Sequence, residues 1–92
     1  MAEESTAILK ISNERGLHAR ASAKFVNCVE KYDAEIRVSK DGHVVGGTSI
    51  MGLMMLAADK GSTIHVSATG GDAKKVLAEL EALLERKFDE RE

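Results

Sequence analysis

His18 and Arg20 flank the point where the stretch "ERGLHARASAKF" begins to read as a helix. Leu17, Ala21, Phe25, Val29 and Tyr32 recur at helical spacing, so His18 stands at the helix entrance. The first turn of a helix carries N–H groups without intrahelical partners, and its aligned peptide dipoles concentrate partial positive charge there. An anion such as phosphate is stabilised at that point. Gly16 permits a sharp backbone turn into the helix because it has no Cβ to clash. Imidazole with one unprotonated nitrogen is a nucleophile near neutral pH. Arg20, in the first turn, offers a guanidinium fork to the same oxygens. One short stretch thus unites a nucleophile, a dipole and a cation, a combination suited to receiving and passing on a phosphoryl group. Taken alone, "GLHAR" also fits a second reading, in which His18 only caps a helix and Arg20 is a solvated charge.

The other histidines offer less. His43 follows a predicted hairpin turn, and His65 shares an outward strand face with Thr63 and Ser67, so both are expected on the surface. The three histidines are not at metal-ligand spacing and Cys28 adds no second thiol, so no metal site and no cofactor are expected. Cys28 reads as a small, partly buried helix residue without a redox task.

Around this stretch the hydrophobic period changes repeatedly. "STAILKIS" alternates, with Leu9 and Ile11 on one side and Lys10 and Ser12 on the other, as in a half-buried strand. After the polar loop "NERG" and the first helix, "AEIRVS" alternates again with Ile36 and Val38 inward, and "KDG" predicts a tight turn into "HVVG". "TSIMGLMMLAA" is a short apolar helix with Thr48 or Ser49 as its cap. "STIHVSA" puts Ile64, Val66 and Ala68 on one strand face. Gly70 and Gly71 break the chain, and Asp72 is expected to cap a last helix with the stripe Val76, Leu77, Leu80, Leu83, Leu84 and Phe88. The order β-α-β-β-α-β-α, with one apolar side on every element, predicts two layers: a four-stranded sheet covered on one face by helices.

Ninety-two residues leave room for one core, so a single domain over residues 1–92 is expected. The 13 basic and 15 acidic residues nearly balance, which gives no general reason to bind nucleic acid. No apolar run approaches the roughly 20 residues that cross a bilayer. "MAEESTA" lacks the basic and apolar regions of a signal peptide, and a lone cysteine fits a reducing compartment; a cytoplasmic protein is expected. Two rivals share this element order or size. A small RNA-binding module stacks bases on sheet aromatics, whereas Phe25, Tyr32 and Phe88 all lie outside the predicted strands. A small acyl-phosphate hydrolase would use an arginine after the first strand, where Arg15 stands, but would have no use for His18.

"GLHARASAKFV", "KYDAEIRV", "DGHVVGGTSIMGLMML" and "KGSTIHVSATGGDAKKVLAELEALL" together resemble the HPr family, the histidine-containing phosphocarriers of the bacterial phosphoenolpyruvate-dependent phosphotransferase system. The resemblance runs from Ala7 to Leu84 and includes two separate motifs in order. It implies an α+β open-faced sandwich, a four-stranded antiparallel sheet with three helices on one face. It implies a carrier, not an enzyme, that accepts a phosphoryl group on Nδ1 of His18 from enzyme I and hands it to an enzyme IIA-type acceptor in sugar uptake. By the same resemblance Arg20 assists transfer, the backbone N–H groups of Ala19 and Arg20 hold phosphate oxygens, and Ser49 is a regulatory site for a serine kinase and phosphorylase. Ala21 departs from the family, which usually has proline there. Alanine keeps the helix, but the departure leaves open the nitrogen-related branch of the same system.

The second helix carries more large apolar residues than one buried side can take. Leu53 and Leu56 are assigned to the core, leaving Ile50, Met51 and Met54 near the surface beside His18. Adaptable methionines suit successive partners, and the resemblance makes this helix the docking face, framed by Lys24 and Arg20 for acidic partner surfaces. The alternative packs them inward against the last helix. Ser49 is also a good cap in its own right. The protein is expected to act as a monomer.

Overall fold

Alternation of burial along each strand decides which way the sheet faces. The computed structural model of the chain describes residues 4–90. In β1 (Glu4–Lys10) Leu9 is buried while Ile8 and Lys10 are exposed, and in β2 (Glu35–Lys40) Ile36 and Val38 are buried between exposed Glu35 and Arg37. β4 (Thr63–Thr69) buries Ile64, Val66 and Ala68 and turns Thr63 and His65 outward. With the short β3 (His43–Gly46) these form one antiparallel sheet in the order β1-β4-β2-β3. The register sets Leu9 opposite Ile64, Ala7 and Val38 on either side of Val66, and Ile36 opposite Ala68, so apolar cross-strand pairs line one face.

Three helices cover that face: α1 (Ala19–Val29), α2 (Ile50–Met55) and α3 (Ala73–Glu85). α3 lies over β1 and β4, and α1 packs between α3 and α2. Phe25, Leu53, Ile64, Val66, Val76, Leu80 and Phe88 meet in the core, each with essentially no exposure. The predicted fold class, element order and core stripes are therefore those observed. The aromatic side chains keep away from the sheet surface: Phe25 and Phe88 are buried and Tyr32 is half-buried in a turn, which removes the base-stacking platform of an RNA-binding module.

The "KDG" turn forms as predicted. Asp41 and Gly42 have φ of 51° and 84°, the left-handed pair that a two-residue hairpin of matching twist needs, and Lys40 pairs with His43. Ser49 rather than Thr48 caps α2, its Oγ accepting from the Gly52 N–H at 2.9 Å.

Three expectations are corrected. Asp72 occupies the N-cap position of α3 but does not cap it: Oδ2 accepts instead from the Asp33 N–H at 2.8 Å, while the Asp72 N–H donates to the Asp33 carbonyl at 3.0 Å. The side chain joins the turn after α1 to the start of α3. α1 ends at Val29, so Tyr32 reaches the core rim from a tightened turn, its N–H on the Val29 carbonyl at 3.1 Å. α3 ends at Glu85, and Phe88 is buried by a different route. Lys87, Phe88 and Asp89 form a short 3-10 turn with φ of 56°, 56° and 59°, which reverses the chain and still drives the ring inward.

Candidate functional site

The loop before α1 is built around Gly16 and Asn13. Gly16 has φ +64°, and a Cβ there would stand 2.3 Å from the Ala58 carbonyl oxygen, so only glycine fits. The close approach lets the Leu17 N–H donate to that carbonyl at 3.0 Å, tying the loop to the segment after α2. Asn13, with no exposure, donates from Nδ2 to the Gly16 carbonyl at 2.8 Å and to Glu90 Oε1 at 3.0 Å. Its Oδ1 is buried and has no partner among the described residues.

His18 is the N-cap residue of α1, with extended backbone (φ −77°, ψ −179°), and its carbonyl accepts the first helical bond from Ser22 at 2.9 Å. The N–H groups of Ala19 and Arg20 lie ahead of that bond, in the turn whose donors the helix cannot satisfy. The His18 side chain does not cap the helix. Its Nε2 meets Glu90 Oε2, and 17% of the side chain remains exposed. The ring is thus at the surface, held at one edge, beside exposed Ala19 and Arg20. No acidic residue lies in the first turn of α1, and no carboxylate among the described residues pairs with Arg20. The α1 entrance thus offers an anion a dipole and two backbone donors, and the exposed Arg20 carries no carboxylate partner among the described residues.

Glu90 is itself enclosed, with 11% of its side chain exposed. Burial opposes its charge, yet the hydrogen bonds from His18 and Asn13, with the charges of His18 and Arg15, outweigh burial and hold its carboxyl below the ordinary value of 4.5.

On α2, Leu53 and Leu56 are buried as predicted, and Ile50, Met51 and Met54 stay exposed. Met55, at 80% the most exposed large apolar side chain, belongs to the same patch and carries no distinguishing sequence signal. Lys24 is placed differently from Arg20: half-buried, it donates from Nζ to the Phe88 carbonyl at 2.6 Å. Sequence reasoning missed Asn13 and Glu90 altogether, for Asn13 read only as loop and Glu90 as tail. Burial leaves Cys28 half-covered and pushes its thiol pKa up, with Glu79 adding to the shift, so the thiol is a poor nucleophile. No helix among the described residues is long and apolar enough to cross a membrane.

An open-faced sandwich that sets a histidine at the mouth of its first helix is the class of domain on which small phosphocarriers are built. The family model described as the HPr component phosphorylation site of the phosphotransferase system matches residues 5–86. The phosphocarrier protein HPr of Neisseria meningitidis serogroup A is 43% identical over 84 residues, covering 91% of this chain and 94% of that protein. The phosphocarrier protein NPr of Shewanella violacea is 39% identical over 80 residues, covering 87% and 88%. The crystal structure of HPr-C-His from Thermoanaerobacter tengcongensis superposes with a TM-score of 0.90 at 38% identity, covering 96% of this chain and 99% of that one. The chain belongs to the HPr family of phosphocarrier proteins of the phosphotransferase system.

Proposed function

We propose that this chain, as a single domain over residues 1–92, takes a phosphoryl group on Nδ1 of His18 from enzyme I and delivers it to an enzyme IIA-type acceptor in sugar uptake. The observation that carries this is a partly exposed imidazole at the α1 entrance, with the N–H groups of Ala19 and Arg20 ahead of the first helical bond. In the transfer the Nδ1 lone pair forms the new bond to phosphorus as the bond to the donor breaks; the protein's part is alignment and charge stabilisation. The N–H groups of Ala19 and Arg20 receive two equatorial oxygens and the Arg20 guanidinium the developing charge. A helix entrance contributes about 0.3–1 kcal/mol per exposed interaction. That is mild enough for the group to leave again, as a carrier requires. The protein is a monomeric cytoplasmic substrate and donor, not a catalyst of turnover.

Ile50, Met51 and Met54, with Met55, form the face that successive partners cover, with exposed Arg20 for acidic partner surfaces; Lys24, expected to frame it too, is held on the Phe88 carbonyl among α3 residues instead. Ser49, exposed at the head of that face, is the site where a serine kinase would place a phosphate and a phosphorylase remove it.

The test is a mass measurement after incubation with enzyme I and phosphoenolpyruvate. One phosphoryl group per molecule, lost in acid and kept in base, is the expected result; His18→Ala abolishes it, and Arg20→Ala slows it without abolishing it. No uptake, or an acid-stable group, refutes the reading. Likeness to the NPr of Shewanella violacea and Ala21 in place of proline favour a second reading, in which the acceptor belongs to the nitrogen-related branch. Transfer rates to acceptors of the two branches distinguish them.

A further inference from the structure

We propose that Glu90 is a positioning residue for His18, holding the proton of the ring on Nε2 so that Nδ1 carries the free lone pair. The proposal rests on His18 being the phosphoryl acceptor.

A neutral imidazole keeps one proton, and the hydrogen bond made by one nitrogen decides which nitrogen is left as nucleophile. Here the carboxylate Oε2 of Glu90 meets Nε2. A carboxylate that is ionised can only accept, so Nε2 must donate. The carboxylate cannot drift, because its other oxygen accepts from Asn13 Nδ2 at 3.0 Å and Asn13 is anchored on the Gly16 carbonyl at 2.8 Å with no exposure of its own. The chain Gly16–Asn13–Glu90–His18 therefore fixes the ring from the same loop that turns the backbone into α1.

The backbone that brings Glu90 back to this point is strained. Lys87, Phe88 and Asp89 all adopt left-handed φ, near 56–59°, without a glycine among them. Such strain persists only where surroundings over-determine it. They do: the Phe88 ring is fully buried, its carbonyl receives Lys24 Nζ at 2.6 Å, and Arg86 Nε donates to Asp89 Oδ1 at 2.9 Å. A helix that simply continued past Glu85 would avoid the strain and would not make this return.

The arrangement also suits the transfer. As the Nδ1–P bond forms and the bond to the phosphorylated donor protein breaks, no proton has to leave: the ring keeps Nε2–H and becomes cationic. The neighbouring carboxylate offsets that charge in place. Glu90 touches the ring at the far nitrogen, not the reacting atoms, so its role is orientation and charge balance.

The test compares the full-length chain with Glu90→Gln and Glu90→Ala, first by ¹⁵N–¹H spectra of the imidazole at a pH where the ring is neutral. The wild type is expected to show one tautomer, protonated on Nε2; Glu90→Ala shows a mixture, and Glu90→Gln, whose one amide oxygen is taken by Asn13 Nδ2, turns its N–H to the ring and moves the ring proton to Nδ1. Single-turnover phosphorylation by enzyme I then falls on the order of tenfold in Glu90→Ala and further in Glu90→Gln. A purely structural tie, which an amide can keep, would leave Glu90→Gln with the wild-type tautomer and rate. Glu90→Ala with the wild-type tautomer and rate overturns the proposal, and so does a faster Glu90→Ala, which would make the carboxylate an obstruction. If the wild type itself takes up no acid-labile phosphoryl group, the carrier reading falls and the role of Glu90 with it, whereas loss confined to the Glu90 variants leaves that reading standing.

Discussion

Replacing Gly16 by alanine tests the loop that presents His18. Two separate costs follow from the structure. The first is the left-handed backbone at φ +64°, about 1–2 kcal/mol for any residue with a Cβ. The second is the new methyl, which would stand 2.3 Å from the Ala58 carbonyl oxygen and 3.0 Å from Asp59 Cα, both backbone atoms that cannot swing aside. Forcing such groups apart costs about 1–3 kcal/mol, giving a total of roughly 2–5 kcal/mol. At about 4–8 °C per kcal/mol for a domain of this size, the melting temperature should fall by at least about 8 °C. Gly42→Ala is the internal control: φ is +84°, but a Cβ there meets nothing within 4 Å, so only the first cost applies. Thermal denaturation of both variants beside the wild type isolates the second cost as their difference. If Gly16→Ala is no less stable than Gly42→Ala, the close approach of the two loops is not what holds Leu17 and His18 in place.

Three further outcomes are expected. Ser49→Asp keeps a capping acceptor, so its melting temperature stays near the wild-type value while its charge weakens enzyme I binding; titration calorimetry showing unchanged affinity would refute this. Met51→Asp and Met55→Asp, 75% and 80% exposed, change stability by within about 0.5 kcal/mol yet impair docking, whereas Leu53→Ala, fully buried, costs about 2–5 kcal/mol in chemical denaturation. Glu90→Gln is less stable than the wild type at neutral pH, and the gap closes in acid. The folded chain holds this carboxyl below its ordinary value of 4.5, so its contribution is complete above that value and lost as pH falls through the lowered one. A gap that persists undiminished in strong acid would contradict that linkage.

Local pattern made most of the scaffold legible. Period-two alternation at Leu9, Ile36, Val38, Ile64 and Val66 placed the strand faces, and the stripe from Val76 to Leu84 placed α3, because burial on one side is written into neighbouring residues. His18 and Arg20 were legible for a related reason: a change of period marks a helix entrance, and the chemistry follows from the residue types. Asn13 and Glu90 were not, since their bonds span 77 residues for Asn13–Glu90 and 72 for His18–Glu90 and leave no mark on adjacent positions. Phe88 lies between these cases. Its apolar character announced burial, but nothing in "RKFDE" announces three left-handed residues, whose cost is met by tertiary contacts with Lys24 and the core. Asp72 misled for the opposite reason: its type suits a cap, and a competing backbone donor at Asp33 took the carboxylate instead.

The pairing of β1 with β4 has a consequence for how the chain comes into being. Glu4 lies opposite Thr69, so β1 has no partner strand until α1, β2, β3 and α2 have been made. Until then its edge is bare and the helices lack a complete sheet to cover. Assembly is accordingly late and concerted, with the entrance of α1 organised only once β4 has joined the sheet.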